Sequence, residues 1–176
     1  MKIILGVSGG ISAYKACDII SKLKYLGHST RVIMTKNAEE LITRKLMASL
    51  SGSPVLHDLW EEAENGSIDH INVIQDADLF VVAPATANVI AKFANGIADD
   101  YLTTAWLAAH CFKIVAPAMN TTMLGNPAVV RNLETLEKDG VTIVEPASGK
   151  LACGTVGEGK LAKVDDIVKA ILERAK

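Results

Sequence analysis

Residues 1–37 read MKIILGVSGGISAYKACDIISKLKYLGHSTRVIMTKN, and this stretch decides the fold. Lys2 to Val7 is a short run of β-favouring apolar residues that stops at Ser8-Gly9-Gly10. From Ile11 onward the apolar period changes. Ala16, Ile19, Ile20, Leu23 and Leu26 recur at intervals of three and four, the spacing of one helix face. Gly27 stands where a helix takes a left-handed residue to stop, and Thr30 to Met34 returns to a strand pattern. A strand–helix–strand unit of this kind predicts parallel neighbours joined by a right-handed crossover.

The remainder repeats the alternation. Thr35 to Asn37 predicts a polar turn into a single helix carrying Leu41, Ile42, Leu46 and Leu50. Ser53 to Trp60 predicts a short extended piece, 61–67 a polar loop, and His70 to Gln75 a helical turn or two. Leu79 to Ala83 predicts a buried strand ending at Pro84, and Phe112 to Ala116 another ending in proline. Helices are expected over Thr86–Phe93 and Asp99–His110, divided by Asn95-Gly96. Asn126-Pro127 opens a further helix, to about Lys138, with proline at its first position. Val141 to Val144 reads as the last strand and Val164 to Ala175 as the closing helix. The strands are continuous apolar runs, which predicts the α/β class: a parallel sheet covered by helices on both faces, one domain over residues 1–176.

Bulk properties narrow the function. Apolar residues make up 49%, charged residues 22%, and the net charge is −2. That balance offers no basic surface for nucleic acid or anionic lipid. The uncharged run Leu79 to Ala91 is broken by Pro84 and too short to cross a bilayer. Cys17, Cys111 and Cys153 are sparse and lack a CxxC spacing, so neither a disulfide framework nor a metal site is expected. The opening segment reads as a strand and not a signal peptide, so the expected location is cytoplasmic.

In such sheets, ligands lie at the carboxyl ends of the strands, near a switch in strand order. Every expected strand end here carries small or polar residues: Ser8-Gly9-Gly10, Thr35-Lys36-Asn37, Pro84-Ala85-Thr86, Pro117 to Asn120, and Pro146-Ala147-Ser148. Ser8-Gly9-Gly10 is either a phosphate cradle or a tight turn into a helix; it is neither GxGxxG nor a Walker A motif. Thr86 and Asn88 either cap the helix that begins there or hold a ligand's polar edge. Asn120 either orients a carboxylate or closes a turn. His70 reads as a surface, capping or basic residue, whereas His28, His57 and His110 read as structural. Cys17 and Cys111 read as core. Cys153 differs, because it lies in the glycine-rich PASGKLACGTVGEGK at 146–160 and suggests an accessible thiol for proton transfer or redox chemistry.

VSGGISAYK at 7–15, HINVIQDADLFVVAPATANVIAKFANGIADD at 70–100, PAMN at 117–120 and PASGKLACGTVGEGK together resemble one family. It is the homo-oligomeric flavin-containing cysteine decarboxylases, and the resemblance runs over nearly the whole chain. Within the family it is nearest to the branch acting on phosphopantothenoylcysteine in coenzyme A biosynthesis. The resemblance implies a flavodoxin-like, Rossmann-type three-layer fold and FMN bound between subunits of a homotrimer or a dodecamer of trimers. It implies oxidation of the substrate thiol to a thioaldehyde, loss of carbon dioxide, and reduction of the resulting enethiol. It also makes residues 146–162 a substrate-covering flap. By motif, His70 matches the base, Asn120 the carboxylate-binding amide and Cys153 the proton donor. Met123, Ala152 and Lys160 match further substrate contacts. Ser8, Gly9, Gly10, Ile11, Thr35, Lys36, Asn37, Thr86, Ala87, Asn88, Val89 and Ala118 match the cofactor-binding positions, and no metal is implied.

Two departures stand out. The family's flap continues Gly-x-Gly-Arg-Met, whereas this chain has Gly157-Glu158-Gly159-Lys160-Leu161, losing a planar bidentate fork. Many bacterial members carry a C-terminal ligase that couples phosphopantothenate to cysteine. The stop at Lys176 predicts either a separate protein for that step or a chain that is a fragment of a longer one. Rival readings are a peptidyl-cysteine decarboxylase of the same family, a flavin prenyltransferase of related fold, and a non-catalytic flavin-binding electron-transfer or regulatory protein.

Overall fold

The computed structural model describes residues 1–59, 74–150, 154 and 156–174. Five strands form one parallel sheet: β1 (Lys2–Val7), β2 (Ser29–Met34), β3 (Leu79–Ala85), β4 (Phe112–Pro117) and β5 (Thr142–Ile143). Their order is β2-β1-β3-β4-β5. The chain steps outward from β1 to β2, then returns to the other side of β1 for β3, so strand order reverses between β1 and β3. This is the flavodoxin-like arrangement that the resemblance implies.

Alternate residues of each strand face opposite layers, and each layer is apolar. Ile3, Leu5 and Val7 of β1 join Val32, Met34, Val81 and Ile114 in one core. That core is closed by Ile19, Ile20 and Leu23 of α1 (Ala16–Tyr25), by Met47 of α3 (Arg44–Ser51) and by Ile167 and Ile171 of α8 (Val164–Glu173). Ile4, Ile33, Phe80, Val82 and Val115 face the second core. Its helical side comes from α4 (Ala87–Ala94), α5 (Tyr101–Ala108) and α7 (Pro127–Lys138), with Trp106 stacked on Phe93 at 4.1 Å.

Several local expectations are corrected. The helix expected from Ile11 begins as a 3-10 segment, Ile11–Lys15, and only becomes α-helical at Ala16. The single helix expected through Leu41 and Leu50 is two, because two threonines compete to start it. Thr35 accepts from the Ala38 amide and caps α2 (Lys36–Glu39), whereas Thr43 accepts from the Leu46 amide and caps α3. The break leaves Leu41 and Leu46 exposed. β3 does not stop at Ala83 but runs through Pro84 to Ala85. The register with β4 shifts between Val82 and Ala85, so a residue without an N–H is tolerated there. The strand expected over Val141–Val144 is only Thr142–Ile143, and it is not the last. Residues 146–160, read as a loop, contain the antiparallel pair β6 (Ala147–Lys150) and β7 (Val156–Lys160). Of the segment expected to be helical from His70, Ile74 and Gln75 are helical; His70 to Val73 lie outside the described residues.

Candidate functional site

The strand switch opens a cleft at the carboxyl ends of β1 and β3, and the loops after these strands are tied together there. Ser8 is fully buried; its hydroxyl donates to the Pro84 carbonyl at 2.8 Å and accepts from the Thr86 amide at 3.0 Å. Ser8 therefore fixes the relative position of the two loops and does not line the cleft. The next residue makes the close approach to β2. A Cβ on Gly9 would sit 2.5 Å from the Cβ of Asn37, so only glycine lets these loops touch. Beyond it, Thr35 and Thr86 each cap a helix that leaves its strand, which brings Lys36, Asn37, Ala87 and Asn88 to the cleft wall.

Two adjoining cavities result, sharing Gly9, Thr86, Ala87 and Met123. The first, about 770 Å³, has a polar wall that includes Thr35, Lys36, Asn37, Asn88 and Lys92. The second, about 610 Å³, is apolar for most of its wall, through Ile11, Tyr14, Ala118, Met119, Met123 and Leu161, with Asn120, Lys15 and Lys160 at its polar edge. Gly10 opens the second cavity and Val89 the first. Of the positions named from the motifs, every described one except Ser8 lines a cavity. His70, Ala152 and Cys153 lie outside the described residues.

Asn120 caps the short helix α6 (Thr121–Leu124), with its Oδ1 accepting from the Thr122 amide at 2.7 Å. Capping and ligand orientation, set apart as alternatives in the sequence, are compatible, since Asn120 caps this helix and also lines the second cavity. The glycine-rich strand β7 lies directly on this loop. The Met119 amide donates to the Gly159 carbonyl at 2.9 Å, and the Thr121 hydroxyl donates to the Glu158 carbonyl at 2.6 Å. Gly159 has φ +115° and any Cβ there would lie 2.3 Å from the Met119 carbonyl oxygen. Leu161, where the family has methionine, is buried in the first core, whereas Lys160 lies on the wall of the second cavity.

The sequence reading missed one cluster on the first cavity. Lys92 Nζ lies 2.7 Å from Asp99 Oδ1 and 3.7 Å from Asp100 Oδ2. The hydrogen bond to Asp99 holds the Lys92 ammonium above its ordinary value, and the same bond holds the Asp99 carboxyl below its own. The signal was present in KFANGIADD: a lysine at the end of one helix and paired acids at the start of the next. His57, read as structural, also lines this cavity, and its Nδ1 lies 3.1 Å from Glu39 Oε1. Arg44 pairs with the same glutamate at 3.3 Å and contacts the other ring nitrogen.

A parallel sheet with ligand-sized cavities at its β1/β3 switch defines the flavodoxin-like class of nucleotide-binding protein. The flavoprotein family profile matches residues 1–176, and the chain belongs to that family. It is 48% identical over 167 residues to the coenzyme A biosynthesis bifunctional protein CoaBC of Bacillus subtilis. That match covers 95% of this chain and 41% of that protein, so the chain spans under half the length of this relative. It is 42% identical to the "Probable phosphopantothenoylcysteine decarboxylase" of Streptococcus mutans, over 98% of both chains. Among solved structures it is similar to the FMN-dependent cysteine decarboxylase SpaF (35% identical, TM-score 0.86, covering 100% of this chain and 98% of that one). It is also similar to a PPC decarboxylase cysteine-to-serine mutant complexed with pantothenoylaminoethenethiol (27% identical, TM-score 0.90, covering 99% and 98%).

Proposed function

We propose that this protein is an FMN-dependent decarboxylase that converts phosphopantothenoylcysteine to phosphopantetheine in coenzyme A biosynthesis. The observation that carries the reading is the similarity, end to end, to a Streptococcus mutans protein whose name states that activity. The cleft fits the cofactor. A flavin needs a flat apolar wall, which Ile11, Ala118 and Met123 supply in the second cavity. Its ribityl and phosphate groups need hydrogen-bonding partners and close backbone approach, which Gly9, Gly10, Thr35 to Asn37 and Thr86 to Val89 supply. When bound, FMN supplies the oxidation of the substrate thiol and the later return of those electrons.

The protein's own side chains then manage position and protons. Asn120 presents its amide edge to the substrate carboxylate, an uncharged donor that attracts the anion yet lets carbon dioxide leave. Met123 packs the substrate from the cavity wall, and Lys160 sets a cation at its mouth. His70 acts as the base, Cys153 donates the proton that completes reduction, and Ala152 contributes to substrate binding. Residues 146–162 form the flap, and β7 anchors it on the loop that holds Asn120. The protein acts as a homo-oligomer built from trimers, in the cytoplasm. The exposure of Ile11, Tyr14 and Met123 at the second cavity supports a subunit contact there.

The test is direct. Purified protein should be yellow, and with phosphopantothenoylcysteine it should yield phosphopantetheine, read by mass spectrometry as loss of carbon dioxide. A colourless protein that FMN does not reconstitute overturns the cofactor. Loss of carbon dioxide only from a peptide ending in cysteine reassigns the substrate.

A further inference from the structure

Lys92 and Lys113 are both drawn partly into the protein, and their surroundings differ. Lys92 is held by Asp99 and Asp100, as described above. Lys113, half-buried on β4, has no carboxylate within ion-pair distance among the described residues. Its Nζ instead lies 5.2 Å from the ring centroid of Trp106, which is buried and stacked on Phe93. Burial pushes the Lys113 ammonium down, against weaker upward pulls from Cys111 and Asp139. An amine taken from water without a counter-ion has a larger share of its reactive, neutral form at neutral pH.

Lys113 also opens onto space. It sits near the amino end of β4, at the opposite end of the sheet from the candidate site. A cavity of about 500 Å³ there is lined by Lys113, Cys111, His110, Asp78 and Asp139 among others. We propose that Lys113 is a carbonyl-capture site, where its amine condenses with small aldehydes to form an imine. The Nζ lone pair attacks the carbonyl carbon and a C–N bond forms. The carbinolamine then loses its hydroxyl as water, taking back from solvent the proton that the Lys113 ammonium gave up to expose its lone pair. One aldehyde enters, one water leaves, and no electrons are exchanged. The protonated imine keeps its positive charge beside the face of Trp106, where the ammonium stood.

The test uses the flavin-loaded wild-type protein, propionaldehyde, and cyanoborohydride to trap imines as secondary amines. Peptide mapping then gives a labelling rate for each lysine. Lys113 should label several-fold faster near neutral pH than exposed Lys22, Lys24 and Lys45, because less of its amine is held as ammonium. Its rate should also level off at a lower pH than theirs. Equal or slower labelling, or a pH profile coincident with the exposed lysines, overturns the proposal. Lys113→Arg keeps a cation over Trp106 and should lose the fast phase; a fast phase that survives in this variant also overturns it. The readout is independent of decarboxylation, so it stands or falls apart from the function proposed above.

Discussion

Ser8 shows how a single hydroxyl can govern a site it does not enter. Its two hydrogen bonds join loops 76 positions apart in sequence, and the group is wholly excluded from water. Ser8→Ala leaves the Thr86 amide without that partner at the start of α4. The expected cost is about 1–3 kcal/mol, because a donor is orphaned and not merely unpaired in water. Urea denaturation should show the loss, and equilibrium dialysis should show weaker FMN binding, since Thr86 to Val89 shift with the loop. Ser8→Thr, which keeps the oxygen, should recover affinity if it is accommodated. Unchanged stability and affinity in Ser8→Ala would show that the tie does not matter. The motif pointed to Ser8 but not to this role, because the direction of its hydroxyl depends on how β1 registers against β3. Gly9 was more legible: a glycine before a helix already signals close approach, and the structure supplies the partner, Asn37. His57 was not legible, since its neighbours Glu39 and Arg44 precede it across an element break that the apolar period concealed.

At the scale of elements, the glycine-rich segment is half strand and half anchor. Its sequence cannot pack a core, which made it read as loop, yet β6 and β7 pair through backbone groups that need no side chains. Gly159 is held at φ +115° with the Met119 carbonyl against it, so Gly159→Ala forces β7 off the loop that carries Asn120. Turnover should fall at least about tenfold with FMN still bound, and limited proteolysis should cut faster within 146–162. Wild-type cleavage and turnover would separate the hairpin from the site. The link between α4 and α5 gives a pH prediction. Lys92 holds Asp99 below its usual 3.8, so this contribution is complete above that value and is lost as pH falls through the folded value. Lys92 is held above its usual 10.5, so its contribution is complete below that value and is lost as pH rises through the folded one. Lys92→Met should therefore lower Tm by a constant amount between about pH 5 and 9, with the gap closing below about pH 4. A gap that persists into acid would place the effect in packing of the lysine stem and not in its charge.

For the whole molecule, the order of strands is what gathers scattered motifs into one cleft. Alternating strand and helix patterns made a parallel sheet legible, and polar strand ends made its carboxyl edge legible. Neither revealed that the cleft divides into a polar and an apolar half, because that depends on where α6 and β7 fold back over β4. The apolar half is left open on one side. Ile11 is 71% exposed, Tyr14 60% and Met123 47%, all on the wall of the second cavity. An apolar wall against water is a poor seat for a flavin ring, which water would contact along one face. A second subunit closing this wall would exclude that water, so assembly and cofactor retention should be one equilibrium. Ile11→Asp with Tyr14→Glu places two charges on the rim and should leave the protein monomeric, where the proposed wild-type assembly is larger by size-exclusion chromatography with light scattering. Because Ile11 also borders the cofactor's expected position, dilution of wild-type protein provides the second arm. The monomer formed without any substitution should lose its flavin absorbance as it appears. Wild-type monomers that remain yellow would show that one chain holds FMN unaided, and the open wall would then need another explanation.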